Sequence, residues 1–109
     1  MSGSGGGPGL GGQSSTFDDC TSLVIDTQLS SPKENVIDRL HEGDMLDVVC
    51  QEIEGRVVVV LLYEGELAGG VAAPQVQRLR ECLEDGTRYI AEVKSINEGQ
   101  VRVRIIAMD

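Results

Sequence analysis

Between Gly55 and Gly70 the chain reads Gly-Arg-Val-Val-Val-Val-Leu-Leu-Tyr-Glu-Gly-Glu-Leu-Ala-Gly-Gly. Residues 57–62 are apolar at every position, so neither face of the strand they predict is written for water. Glu64-Gly65 reads as a two-residue hairpin loop, with glycine supplying the positive φ such a turn needs. That loop sets Tyr63 opposite Glu66, Leu62 opposite Leu67, Val60 opposite Gly69 and Val58 opposite Val71. Val58, Val60, Leu62, Leu67 and Val71 then share one face, which is expected to be the interior. Val57, Val59, Leu61 and Tyr63 share the other face. Four apolar side chains in a row on the outside must be covered by a helix of the same chain, a second copy or a different partner, and they predict a surface at least partly open to another protein or a second copy. Gly69-Gly70 marks a bend or a close approach of another backbone.

The remaining elements follow from their periodicities. Residues 21–27 predict a first strand, with Leu23 and Ile25 on one face and Val24 and Asp26 on the other. Ser31-Pro32-Lys33-Glu34 has the form of a capping box, with Ser31 as N-cap. It predicts a helix over 32–41 that turns Val36, Ile37 and Leu40 inward and ends near Gly43. Residues 45–51 alternate: Leu46, Val48 and Cys50 point inward, and Asp47 and Gln51 outward. A second helix, over 74–85, carries Val76, Leu79, Cys82 and Leu83 on one side and stops at Gly86. In the final hairpin, Asn97-Glu98-Gly99 reads as a three-residue loop that puts Ile96 opposite Gln100. Val93 then faces Val103, and Ala91 faces Ile105, all inward. The order is β-α-β-β-β-α-β-β. This predicts a mainly β, α+β domain: a small six-stranded, mostly antiparallel barrel over 20–109, or an open sheet with both helices on one face.

Composition adds a tail and removes several function classes. Residues 1–19 are rich in Gly and Ser and offer no core, so they predict a disordered segment. The glycines there have neither a preceding strand nor a closing Gly-Lys-Ser/Thr, which excludes a phosphate loop. The net charge of −9 disfavours duplex DNA and suits a soluble protein with a basic partner. No run is long and apolar enough for a membrane span, and no basic, apolar leader opens the chain. Cys20, Cys50 and Cys82 are an odd set without C-x-x-C spacing. With His41 the only histidine, no zinc site is expected, and no other metal or cofactor. Cys50 and Cys82 read as buried free thiols and Cys20 as an exposed one, which points to the reducing cytoplasm.

Catalytic chemistry is not written in this pattern. Asp18-Asp19, Asp44/Asp47 and Glu64/Glu66 are carboxylate pairs at predicted turns or outward positions, where solvated side chains are the ordinary outcome. His41 lies at a predicted helix end with no nucleophile in a local motif. The chain therefore reads as non-catalytic. One charge pattern remains. The predicted final hairpin sets Lys94 opposite Arg102 and Glu92 opposite Arg104, with Arg88 further along that face. Like charges facing across a ladder do not help the fold. Arg88, Lys94, Arg102 and Arg104 are thus a candidate anion or nucleic-acid site, set against the alternative that they protect an edge strand. Phe17, Tyr63 and Tyr89 are the only aromatics, few for stacking on single-stranded nucleic acid.

Leu40/Gly43/Asp44, Gly65/Leu67/Gly69 and Ala91/Val93/Ile96 occur in the order of three short HIRAN-domain motifs. These are a leucine…Gly-Asp turn before a strand, a Gly-x-Leu/Ile-x-Gly hairpin, and an Ala-x-Val-x-x-Ile strand. Over residues 21–106 the chain resembles that family, and it is also similar to small bacterial proteins that imply no mechanism. The resemblance implies an OB-like barrel of six strands and two helices, and for some members the binding of single-stranded DNA ends. Glu52-Ile53-Glu54-Gly55 stands where the family has Asn-Pro-x-x-Asp-x-x-Ala, and the stacking aromatics have no clear counterparts. Two readings of function result. The first is a non-catalytic protein–protein interaction or accessory module. The alternative is a weak single-stranded nucleic-acid binder that uses the basic stripe.

Overall fold

The computed structural model describes residues 20–108; the predicted disordered tail lies outside them. A helical turn at residues 20–22 leads into β1 (Val24–Gln28), α1 (Glu34–Ile37), β2 (Met45–Ile53), β3 (Arg56–Tyr63), β4 (Glu66–Gly70), α2 (Val76–Glu84), β5 (Tyr89–Asn97) and β6 (Gln100–Ala107). The six strands form one antiparallel sheet in the order β1-β6-β5-β2-β3-β4. This matches the predicted class and element order. The sheet is not closed into a barrel. Its edge strands β1 and β4 form no ladder; the segment that follows β1 meets the end of β4 at an isolated antiparallel bridge, Ser30–Gly70. There the Ser30 N–H donates to the Gly70 carbonyl at 2.8 Å and the Gly70 N–H to the Ser30 carbonyl at 2.7 Å.

Three hairpin turns have one chemistry. Glu54-Gly55, Glu64-Gly65 and Glu98-Gly99 are two-residue loops in which both residues have positive φ, near 53° for each Glu and 78–85° for each Gly. Such turns match the right-handed twist of the flanking strands. The last of them corrects the expected three-residue loop, because Asn97 pairs with Gln100. The inward register nonetheless holds, with Val93 opposite Val103 and Ala91 opposite Ile105. A bulge between Val93 and Ser95 takes up the extra residue, Lys94.

The capping box does not form. Ser31 has a φ of 49°, the N-cap is Lys33 without a side-chain cap bond, and the helix is only Glu34–Ile37. The chain is still bound to β4 at these positions, since the Lys33 N–H donates to the Ala68 carbonyl at 2.9 Å. Sheet pairing holds the backbone extended past Ser31 and delays the helix. Val36, Ile37 and Leu40 are buried as expected. Gly43 is not a helix cap. It belongs to a turn in which its N–H donates to the Val93 carbonyl at 2.8 Å, just before β2. Helix α2 ends as the pattern predicts: Gly86 has a φ of 102°, and the Thr87 N–H reaches the Cys82 carbonyl at 3.0 Å.

The core lies on the concave face of the sheet. Ile25, Leu46, Val93, Val103 and Ile105 supply its floor, Val36, Ile37 and Leu40 close it from one side, and Leu79 and Cys82 of α2 close it from another.

Candidate functional site

The register of β3 decides which surface is available. Ile53 pairs with Arg56 across the Glu54-Gly55 turn, which sets Cys50 opposite Val59 and Val48 opposite Leu61. Val48 is inward, so Val59 and Leu61 are inward too, and they are 2 % and 0 % exposed. The row Val57, Val59, Leu61 and Tyr63 is therefore not an exposed outer face. Val59 and Leu61 are core, and Tyr63 is half-buried under the Arg39 guanidinium, 5.6 Å from its ring centre. Only Val57, at the rim, is open to solvent, at 43 %. Val58, Leu62 and Leu67, expected inside, are partly exposed on the convex face, where Val60 is buried, whereas Val71 is half-buried and packs against the core beside the inward Val59.

The register on the other side of β3 also differs from expectation. Tyr63–Glu66 and Leu62–Leu67 pair as the loop predicts, but Leu61 then faces Gly69 and Val60 faces Gly70. Ala68 is the additional residue of a bulge, and it is buried. Strand β4 ends at Gly70, and the last bond of this ladder runs from the Val71 N–H to the Val59 carbonyl at 3.1 Å. The chain then departs through Ala72, Ala73 and Pro74 toward α2. Among the described residues, nothing pairs with Arg56–Val58 on this edge. Ladder bonds alternate in direction, so the N–H and C=O of Val57 point out of the sheet here, as the carbonyl of Val59 does.

A groove flanks this open edge on each side. The convex one has a volume of about 290 Å³ and is floored by Ile53, Val58, Val60, Leu67 and Val71, with Lys33 on its wall. The other, of about 180 Å³, lies between Val57, Val59 and Val71 on one side and Val76, Gln77 and Arg80 of α2 on the other. A third, of about 550 Å³, lies between β2 and the start of β5, lined by Val49, Leu62, Leu83, Arg88 and Met108.

Two of the four cations of the basic hairpin are neutralised. Arg104 donates to Asp26 of β1 at 2.8 Å and sits opposite Glu92, and these carboxylates raise its pKa further. Lys94 lies 3.6 Å from Glu92, and the bulge puts Ser95, not Lys94, opposite Arg102. Arg88 and Arg102 are the members of this set that form no ion pair among the described residues. Of the carboxylates at turns, Glu66 and Glu64 bind Arg39 at 2.9 and 3.8 Å, and Asp44 accepts the His41 N–H at 2.8 Å.

The cysteine chemistry differs from the free-thiol reading. Cys20 and Cys82 form a disulfide across 62 residues of sequence, and Cys20 is 1 % exposed rather than open. The Tyr89 hydroxyl donates to the Cys20 carbonyl, which fixes the start of the described chain against β5. The inference from free thiols to a reducing compartment thereby loses its basis. Cys50 alone is a free thiol, and burial, then the nearby Glu84, pushes its pKa up. Such a thiol is a poor nucleophile. Among the described residues no cluster of metal-ligating side chains occurs, and no helix is long and apolar enough to cross a membrane. Compared with known proteins, the chain matches no family model, no curated protein and no solved structure.

Proposed function

We propose that this chain is a non-catalytic protein–protein interaction module that binds its partner at the open edge of β3. The observation that carries this reading is the unpaired stretch Arg56–Val58, with a free backbone donor and acceptor at Val57 and an apolar groove on either side. Exposed strand edges are templates for another chain, and natural proteins normally blunt them. Here Val57 and Ile53 stay exposed beside the edge instead. In the same reading the Ser30–Gly70 bridge is the seam of a six-stranded barrel, and the site lies where that seam is incomplete.

The alternative, a single-stranded nucleic-acid-binding HIRAN-like barrel, has less support. Ion pairing leaves Arg88 and Arg102 as its free cations, and Tyr63 and Tyr89 are engaged within the fold.

The test is site-specific photo-cross-linking in cells that make the protein. A benzophenone side chain at position 57 is expected to give discrete protein adducts. The same group at position 98, on the solvent-facing β5–β6 turn, is expected to give none. Equal labelling from both positions, or none from either, overturns the reading.

A further inference from the structure

Resting on that reading, we propose the chemistry of the partner: an extended peptide segment that pairs with β3 at Val57, places alternate apolar side chains in the two grooves, and carries carboxylates at its flanks. The two grooves lie on opposite faces of one edge and share Val58, Val59 and Val71 as lining. A strand laid along that edge sends successive side chains to opposite faces. One set enters the convex groove and the other enters the groove under α2. Backbone pairing with alternate pockets is the way sheet edges take up peptides. A helix would satisfy neither the Val57 backbone nor both grooves.

Charge gives the flanks. The chain has 18 acidic residues against nine Lys and Arg, yet neither groove is lined by a carboxylate. Each contains one cation, Lys33 on the convex side and Arg80 on the other. Lys33 forms no ion pair among the described residues. The Nε of Arg80 is buried and has no hydrogen-bond partner, and its nearest carboxylate oxygen, on Glu84, is 3.9 Å away. Glu84 holds the Arg80 side chain only at this long distance, and because that side chain is partly exposed a carboxylate on the incoming strand can compete for its outer N–H groups. The acidic remainder of the surface repels other acidic chains, so only a peptide that brings its carboxylates to these two points gains from them.

The experiment titrates the full-length, isotope-labelled protein with three acetylated peptides. They share the core Val-Thr-Val-Thr-Val and are flanked by Asp and Glu, by Gln, or by Lys. The acidic peptide is expected to shift the amides of Val57 and Val71 and the Nε–H of Arg80. It should bind about tenfold or more tighter than the lysine peptide. Arg80→Gln should bring its affinity part of the way to that of the glutamine peptide, with Lys33 still engaged, and Lys33→Gln, at an exposed position, provides the same comparison should the Arg80 variant lose its fold. Equal binding of all three, or preference for lysine, overturns the acidic chemistry and leaves the interaction reading standing. No shift at the edge from any peptide overturns both. A Val57 amide already protected from solvent exchange overturns the proposal as well. Protection that fades on dilution would assign the edge to a second copy; protection at all concentrations would assign it to the chain's own residues 1–19.

Discussion

Gly69 shows how one residue sets the geometry of the seam. A Cβ built there would lie 2.6 Å from the Leu29 Cγ and 2.8 Å from the Ser30 carbonyl oxygen. Gly70, next to it, would meet backbone oxygens no closer than 3.7 Å. Gly69→Ala is therefore expected to cost about 1–3 kcal/mol by overpacking, and Gly70→Ala much less. Urea unfolding of the two variants checks the difference, and equal midpoints would contradict it. The Gly-Gly pair is legible in the sequence as a close backbone approach. That the approaching groups are Leu29 and Ser30 is not, because they come from a segment 40 residues away. The two faces of β3 were open to a fuller reading. Glu54-Gly55, taken as a two-residue loop like Glu64-Gly65, pairs Val59 with Cys50 and Leu61 with Val48, which the alternation of β2 already turns inward. Eight successive residues of one strand do not declare their own inside; the neighbouring strand does.

At the scale of elements, existence and type follow from the pattern, whereas ends follow from tertiary pairing. Helix α2 and its glycine stop are local, and they form where the spacing puts them. Helix α1 is cut short because Ser30 and Lys33 keep hydrogen bonds to β4 that outweigh a local cap. The expected three-residue loop at the last hairpin fails for a related reason. A two-residue turn fits the strand twist better, and a bulge at Lys94 repairs the register. The disulfide was hidden by sequence distance, since nothing local relates Cys20 to Cys82. Its removal tests how firmly β1 and α2 depend on it. Closing a loop of 62 residues stabilises by about 4 kcal/mol on the chain-entropy account. Reductant, or Cys20→Ser, should lower the urea midpoint accordingly, and an unchanged midpoint would show that the pair is not bonded.

The whole molecule carries its titration signature at alkaline pH. Burial raises the pKa of Tyr89 above its ordinary 10.0, with Arg78 opposing, and its hydroxyl must stay protonated to donate to Cys20. Burial likewise raises Cys50 above 9.0. A raised pKa on an acid means that the unfolded chain loses the proton first. Stability from these groups is intact below their ordinary values and declines as pH rises above them. Melting temperature should thus fall from about pH 9 upward, and Tyr89→Phe should flatten the part above about pH 10. Thermal melts across that range decide it, and an unaltered slope in the variant would exclude Tyr89 as a cause.

The same covalent link gives the molecule an uneven response to force. Tension applied at residue 1 reaches Cys20, crosses to Cys82 through the sulfur pair, and continues along residues 83–109. Everything between the two cysteines, from β1 to most of α2, is a closed ring outside the load path, and it includes the open edge of β3. Of the strands, only β5 and β6 are pulled directly, together with the last residues of α2. Reduction would release roughly 220 Å of contour length from 62 residues, and would place the β3 edge in line with the applied load.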